Sequence, residues 1–484
     1  MTGPSDNYKW WVLATVGLGT YMSALDSSIV NTILPLIQKS LQSSLASTAW
    51  VMMGYLLTVS ALLLTFGRLG DIMGHKGIYN LGFIIFTAGS VLAGASGRIA
   101  TVISARVIQA VGGAMLLSMS PAILTKSFPP TERGRALGMQ GTLTYLGLTT
   151  GPSLGGWLAT HLGWGWVFFI NLPIGIIGTY LAYRIIRPDR HPPGSRASDL
   201  EASRPGSPVA EVSDRQAFDL PGALTFGAGL ALVLLGISKG PEWGWWSQKT
   251  VISIIVGVAL LGYFVYLEKS VRFPLMDLAL FQNRVFAAST ASAVLNYICL
   301  FFVMFLLPYY LVDGRGYSAV RAGEILTAMP ITMAVTTPFS GILSDKVGSR
   351  PPATAGMILI AAGVGLLGGL HFGSPDSSIA LRLVVVGLGV GLFASPNNSA
   401  VMGSAPKTRQ GVASAVLGAS RNVGMVVGVA LAEAVFNTRI AGYRAARLPE
   451  PEAFLGAFRE TMLLGAAVAI LGGILSFVRG RGRK

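Results

Sequence analysis

Residues 67–76 read GRLGDIMGHK and residues 341–350 read GILSDKVGSR. A shift of 274 positions aligns Gly67 with Gly341, Asp71 with Asp345, Gly74 with Gly348 and Lys76 with Arg350. Each stretch closes an apolar run and opens a turn, so each reads as the exit of the second helix of a repeated six-helix unit. The glycines permit tight turns and close helix approach. The aspartate can accept from backbone N–H groups at a neighbouring helix end and pair with a basic residue. Recurrence at matching places makes the two loops a candidate conformational latch that holds two bundles together in one state and releases them in another. Parallel repeats about an axis along the membrane normal are a transporter architecture, with the substrate path at the repeat interface.

The composition agrees. Of 484 residues, 52% are hydrophobic and 12% charged, far from the balance of a soluble domain. Apolar runs of about twenty residues recur along the whole chain, each long enough to cross a bilayer as a helix. They are too uniformly apolar for the alternating strands of a barrel. Fourteen such runs are expected, from 10–34 through 456–478. They divide the chain into an N-terminal six-helix bundle (1–187), a cytoplasmic linker rich in Pro, Ser and charge (188–217), an inserted helix pair with its connecting loop (218–282), and a C-terminal six-helix bundle (283–484). The expected fold class is an all-α polytopic membrane protein of two six-helix bundles plus two inserted helices. Lys and Arg concentrate in the loops that share a side with both termini, which places the termini in the cytoplasm. The first run lacks the pattern of a cleaved signal and reads as a retained helix.

Several function classes drop out. The net charge of +15 resides in short loops that orient helices, so no nucleic-acid partner is expected. Cys299, the one cysteine, forms no intrachain disulfide. The four histidines lack metal-ligand spacing, no GxxxxGK[ST] phosphate loop is present, and no enzyme signature is found, so neither metal nor ATP is expected.

These segments resemble the major facilitator superfamily, and the fourteen-span drug/proton antiporter branch in particular. GRLGDIMGHK is similar to the family's loop motif, and ALDSSIVNTILP (24–35) resembles the branch's first-helix signature. SARVIQAVGGAML (104–116) resembles the fourth-helix motif carrying Arg106 and Gln109, with Ala110 where that motif usually has Gly. GLTTGPSLGGWL (147–158) is similar to the fifth-helix antiporter motif, and WVFFINLPIG (166–175) to the following helix. The resemblance implies proton-coupled export of hydrophobic or amphipathic, often cationic, compounds by alternating access. It also implies the proton as coupling ion with no other cofactor, and a monomer in the cytoplasmic membrane. Export of a lipid, fatty acid or secondary metabolite is the alternative, and a non-transporting receptor or scaffold a further one.

Physically, Gly147, Gly151 and Gly155 fall at i, i+4 and i+8, with Gly156 alongside, giving a small-residue face for close helix packing. Pro152 removes a backbone hydrogen bond within it. Asp26 lies deep in the first run, where a carboxylate costs about 2.5–3.5 kcal/mol on insertion scales. It is either a coupling site or a structural partner of polar groups. Arg106 and Gln109, three residues apart on one helix face, are its candidate surroundings. Glu324 and Glu433 are the other intramembrane carboxylates to weigh for coupling, against a simple interfacial position. Tyr21, Met22, Met52, Tyr55, Gln109, Tyr145, Asn171, Asn296, Tyr297 and Asn397 are candidates to border a substrate cavity, where flexible Met and aromatic surfaces suit varied ligands.

Overall fold

The computed structural model describes residues 6–129, 132–188, 220–270, 278–406 and 410–480. The linker expected at 188–217 lies, from residue 189 on, outside them. The described residues form fourteen helical rods, two of them broken once. The N-terminal half has α1 (Asp6–Ser40), α2 (Leu45–Met73), α3 (His75–Gly94), α4 (Ile99–Ser127), α5 (Arg133–His161) and α6 (Trp166–Ile185, interrupted at Ile170). Then come α7 (Leu220–Trp243) and α8 (Gln248–Ser270). The C-terminal half has α9 (Arg284–Tyr309), α10 (Ala319–Leu326, resuming as Ala328–Val347), α11 (Arg350–Gly368), α12 (Asp376–Ser404), α13 (Gln410–Ala445) and α14 (Glu450–Val478). Helices satisfy every backbone group within the segment, which lipid cannot do for them.

Twelve of these rods are long and apolar enough to cross a membrane. The two outside that set, α1 and α5, are long enough but carry Gly, Ser, Thr and charge that dilute their apolar content. They are also packed against each other. Their polarity is thus turned inward.

Local signals explain the boundaries. Ser44 caps α2 by accepting from Ser47 N at 3.1 Å, and Asn283 caps α9 by accepting from Val285 N at 2.9 Å. Gly74 and Gly348 end α2 and α10 with φ of 93° and 83°, a region that favours glycine. Their N–H groups bond back to Gly70 O at 2.9 Å and Ser344 O at 2.8 Å. The repeat seen in the letters is therefore a repeat in backbone conformation. Past Pro308, α9 ends in a π-helical turn, Tyr310–Gly314, which brings Asp313 beside Lys39 of α1 at 2.7 Å.

Alternation along the chain gives the bundle a terminal face, which carries both ends of the described chain, and an opposite face. Tyr8 meets the backbone of Arg187 at the terminal face, while Trp164 donates to Ser40 at the opposite one. The pair α7–α8 leans on α2 of one half and α13 of the other.

Candidate functional site

α1, α3, α4 and α6 converge on a polar cluster inside the N-terminal half. Asp26 is fully buried and Arg106 is 2% exposed. Arg106 donates to Asp26 Oδ2 at 2.5 Å and to Gln109 Oε1 at 2.7 Å. Gln109 Nε2 donates to Asp26 Oδ1 at 2.8 Å, and Asn171 Nδ2 reaches the same oxygen at 3.0 Å. Asn171 also donates to Ser90 Oγ at 2.9 Å, and Ser90 donates to Phe168 O at 2.8 Å. The arginine's Nε bonds Val51 O at 3.2 Å, and its guanidinium lies 4.2 Å from the centre of the Tyr55 ring. With Asp26 ionised, the cluster is neutral and well bonded, which is how a buried pair survives desolvation. A proton on Asp26 would leave the Arg106 charge buried without its counter-charge.

The close approach that makes this possible is built by small residues. At Gly89 a Cβ would run into the backbone of Gln109, and at Gly112 into the backbone of Phe86, so α3 and α4 lie nearly backbone to backbone. The fifth-helix glycines do the same for α1 and α5. A Cβ on Gly147 would stand 2.7 Å from Tyr21 O, and one on Gly155 would stand 2.5 Å from Ile29 Cγ1, while one on Gly151 would strike Ser28. Ser28 Oγ in turn bonds Gly147 O at 3.2 Å.

The other edge of that motif crosses between the halves. The Pro152 carbonyl sits against Gly323, and Gly156 against the Ala319 carbonyl, leaving no room for a Cβ at either glycine. Ser153 and Thr327 share a hydrogen bond of 2.8 Å. Together with Lys39–Asp313 these contacts tie the two halves toward the opposite face.

Of the residues expected at a cavity, Tyr55, Gln109 and Asn171 belong to the Asp26 cluster. Met22 and Met52 are buried in the core. Tyr21 is half-buried and its hydroxyl meets Thr150 at 3.1 Å. The Tyr145 side chain lies outside the described residues. In the C-terminal half Asn296 is buried, Tyr297 half-buried, and Asn397 donates to Ser289 O at 3.1 Å.

The latch residues divide. The side chains of Asp71 and Asp345 lie outside the described residues. Gly67 has open space around it, whereas a Cβ on Gly341 would stand 3.0 Å from Ser395 Oγ. Lys76 donates to Tyr183 O at 2.7 Å, and Arg350 stacks over Phe477 at 4.2 Å. Both basic residues thus turn to the last helix of their own half.

Glu324 is exposed and pairs with Arg321 at 3.1 Å, in a surface group with Asp376 at the opposite face. Glu433 is fully buried. One oxygen accepts from Asn437 at 2.6 Å, and the other has no hydrogen-bond partner. Ser238, Lys239 and Glu242 of α7 face it, and Tyr309 of α9 is close by. Sequence reasoning missed Arg479. It opens the basic stretch RGRGRK after the last apolar run, yet it is buried, donating to Ser289 Oγ and Asn397 Oδ1 at 3.1 Å each. The mid-span asparagine was the available signal, since a buried amide requires partners.

Paired helical halves, a sealed ion pair in one of them and a glycine-lined seam between them define a polytopic membrane transporter. The chain belongs to the Major Facilitator Superfamily, whose sequence profile it matches over residues 16–429 and again over 289–484. It is 32% identical to the riboflavin transporter RibZ of Clostridioides difficile (strain 630), over 97% of each chain. It is 30% identical to the tetracenomycin C resistance and export protein of Streptomyces glaucescens, covering 89% of this chain and 76% of that one. It is also 30% identical to the multidrug resistance protein Stp of Mycobacterium tuberculosis (strain H37Rv), covering 87% and 74%. Its fold matches an inward-facing, unoccupied bacterial homologue of the human lysosomal transporter Spinster with a TM-score of 0.67 at 15% identity, over 98% of each chain.

Proposed function

We propose that this chain is a proton-coupled antiporter that exports hydrophobic or amphipathic, often cationic, compounds from the cytoplasm by alternating access. On this reading α1 and α5 also cross the bilayer, giving fourteen spans, a working monomer and both termini in the cytoplasm. The observation that carries the reading is the Asp26–Arg106–Gln109–Asn171 cluster, a carboxylate held at three contacts inside a helical bundle. Protonation breaks an ion pair whose loss costs about 3–5 kcal/mol when the partner stays buried. The protonated state therefore favours a packing in which Arg106 regains water or another partner. Substrate binding and proton binding then select opposite packings. The relatives named for multidrug resistance and for tetracenomycin C export support the substrate class.

One proton falling through about 100 mV and one pH unit releases about 2.3 and 1.4 kcal/mol. Exchange of one proton for one monovalent cation is electroneutral and draws only on the pH part. Glu433, fully buried like Asp26, is the candidate for a second proton that would restore the electrical part. Glu324, exposed and ion-paired at the opposite face, serves the surface group there.

A second reading, transport of a metabolite, is favoured by the full-length match to the riboflavin transporter. Both readings are tested by flux into proteoliposomes with and without an imposed pH gradient, using cationic dyes, riboflavin and lipids in parallel. Concentration of a dye against its gradient only when the pH gradient is present supports the antiporter. Riboflavin flux without dye flux favours the metabolite reading, and no flux of any substrate opposes both.

A further inference from the structure

A groove of about 880 Å³ runs along the outer side of the N-terminal half between α3 and α6. Two matching stripes make it, Asn80, Ile84, Thr87, Ala88, Val91 and Leu92 on α3 and their counterparts from Leu172 to Tyr183 on α6. The floor is small because Gly175 receives Thr87 without room for a Cβ. The rims are large and exposed, as at Ile84, Leu92, Ile176 and Tyr180. From Asn80 to Leu92 the helix rises about 18 Å, against about 15 Å for one leaflet of a ~30 Å hydrocarbon core. In a membrane-spanning bundle this face meets acyl chains.

One end of the groove is not apolar. Lys76 lies a turn before Asn80, with its ammonium on Tyr183 O at 2.7 Å. Arg184 places its guanidinium 5.8 Å from the Tyr180 ring centre. Among the described residues neither cation has a carboxylate within ion-pair distance. Asn80 lines the groove just inside them. Two cations at the end of an apolar trough one leaflet long follow the order of parts in an anionic phospholipid: phosphate, then acyl chain. Basic pockets between membrane helices bind anionic headgroups on this principle.

We infer that the α3–α6 groove is a binding site for one anionic phospholipid, its headgroup phosphate on Lys76 and Arg184, and an acyl chain along Thr87, Ala88 and Gly175. The same seam carries Ser90 and Asn171 on its inner side, so a bound lipid braces the contact between α3 and α6 that orients Asn171 toward Asp26.

The test uses the full-length protein in mild detergent. Its melting temperature is followed while phosphatidylglycerol, phosphatidylcholine or inorganic phosphate is added, and bound phosphatidylglycerol is counted by native mass spectrometry. Wild type is expected to retain one phosphatidylglycerol and to bind it at least tenfold more tightly than phosphatidylcholine, with no stabilisation by inorganic phosphate. Arg184→Gln, at an exposed position, is expected to erase the preference for the anionic lipid while leaving the melting temperature in detergent unchanged. Ala88→Phe, which fills the trough from its exposed side, is expected to lower the affinity for both lipids tenfold or more. Equal stabilisation by the two lipids in wild type, or unaltered phosphatidylglycerol binding in both variants, overturns the proposal. Stabilisation by phosphate alone overturns it in favour of a simple anion site.

Discussion

The carbonyl of Pro152 occupies the space that a side chain on Gly323 would need. One residue belongs to α5 and the other to α10, and Gly156 of α5 meets the Ala319 carbonyl of α10 as closely. The meeting of the halves here therefore depends on a glycine at each contact, which has nothing to withdraw.

Gly323→Ala is therefore expected to open the seam toward the opposite face. With Ser153→Cys as reporter, labelling by a water-soluble maleimide should speed up several-fold, and uphill flux should fall. The native cysteine, Cys299, is buried and leaves the background low. Unchanged labelling would show that the seam does not close this face.

Asp26→Asn mimics the protonated carboxyl. It is expected to keep exchange of substrate between equal compartments and to lose accumulation driven by a pH gradient, while Asp26→Glu retains partial coupling with a shifted pH optimum. Wild-type accumulation by Asp26→Asn would move the coupling role to another carboxylate.

Arg106→Gln strands the Asp26 charge and is expected to cost about 3–5 kcal/mol of stability. The double variant Asp26→Asn with Arg106→Gln should recover part of that loss, because no charge is then left alone. Thermal unfolding of the four proteins gives the coupling energy directly. Strict additivity would mean that the two side chains do not depend on each other.

Glu433→Gln tests the buried carboxyl of α13. Transport of a monovalent cationic dye driven by a pH gradient should persist, while its response to an imposed membrane potential should vanish. A voltage response equal to wild type would leave Glu433 a structural role at the α7 contact.

Lys39 is 60% exposed and Asp313 28% exposed, so their ion pair contributes at most about 1 kcal/mol. Lys39→Asp alone is expected to shift the balance of packings by only a few-fold, and Lys39→Asp with Asp313→Lys to restore it. Maleimide labelling at the same Ser153→Cys reporter measures this, with the single and double exchanges compared at low and high salt.

Much of the architecture was legible because helix length, apolar content and turn glycines are local properties. The paired loops could be matched from their letters, and Gly74 and Gly348 carry the matching backbone. Arg106 and Gln109 could be placed together from their spacing of three. Asn171 and Ser90 could not be tied to Asp26, since contacts between helices far apart in sequence depend on how the bundle packs. The fifth-helix glycines announced a close neighbour without naming α1, or the crossing to α10. Arg479 escaped because a basic residue at the end of a chain looks solvated until the packing around Ser289 and Asn397 is known.

The extra pair α7–α8 gives the molecule a front and a back in the plane of the bilayer. It stands against α2 and α13, where the halves adjoin on one flank, whereas α5 and α10 meet by themselves through Pro152, Gly156 and Gly323. The seam between the halves thus has two unlike edges, one screened by a pair of helices and one whose jamb is bare glycine.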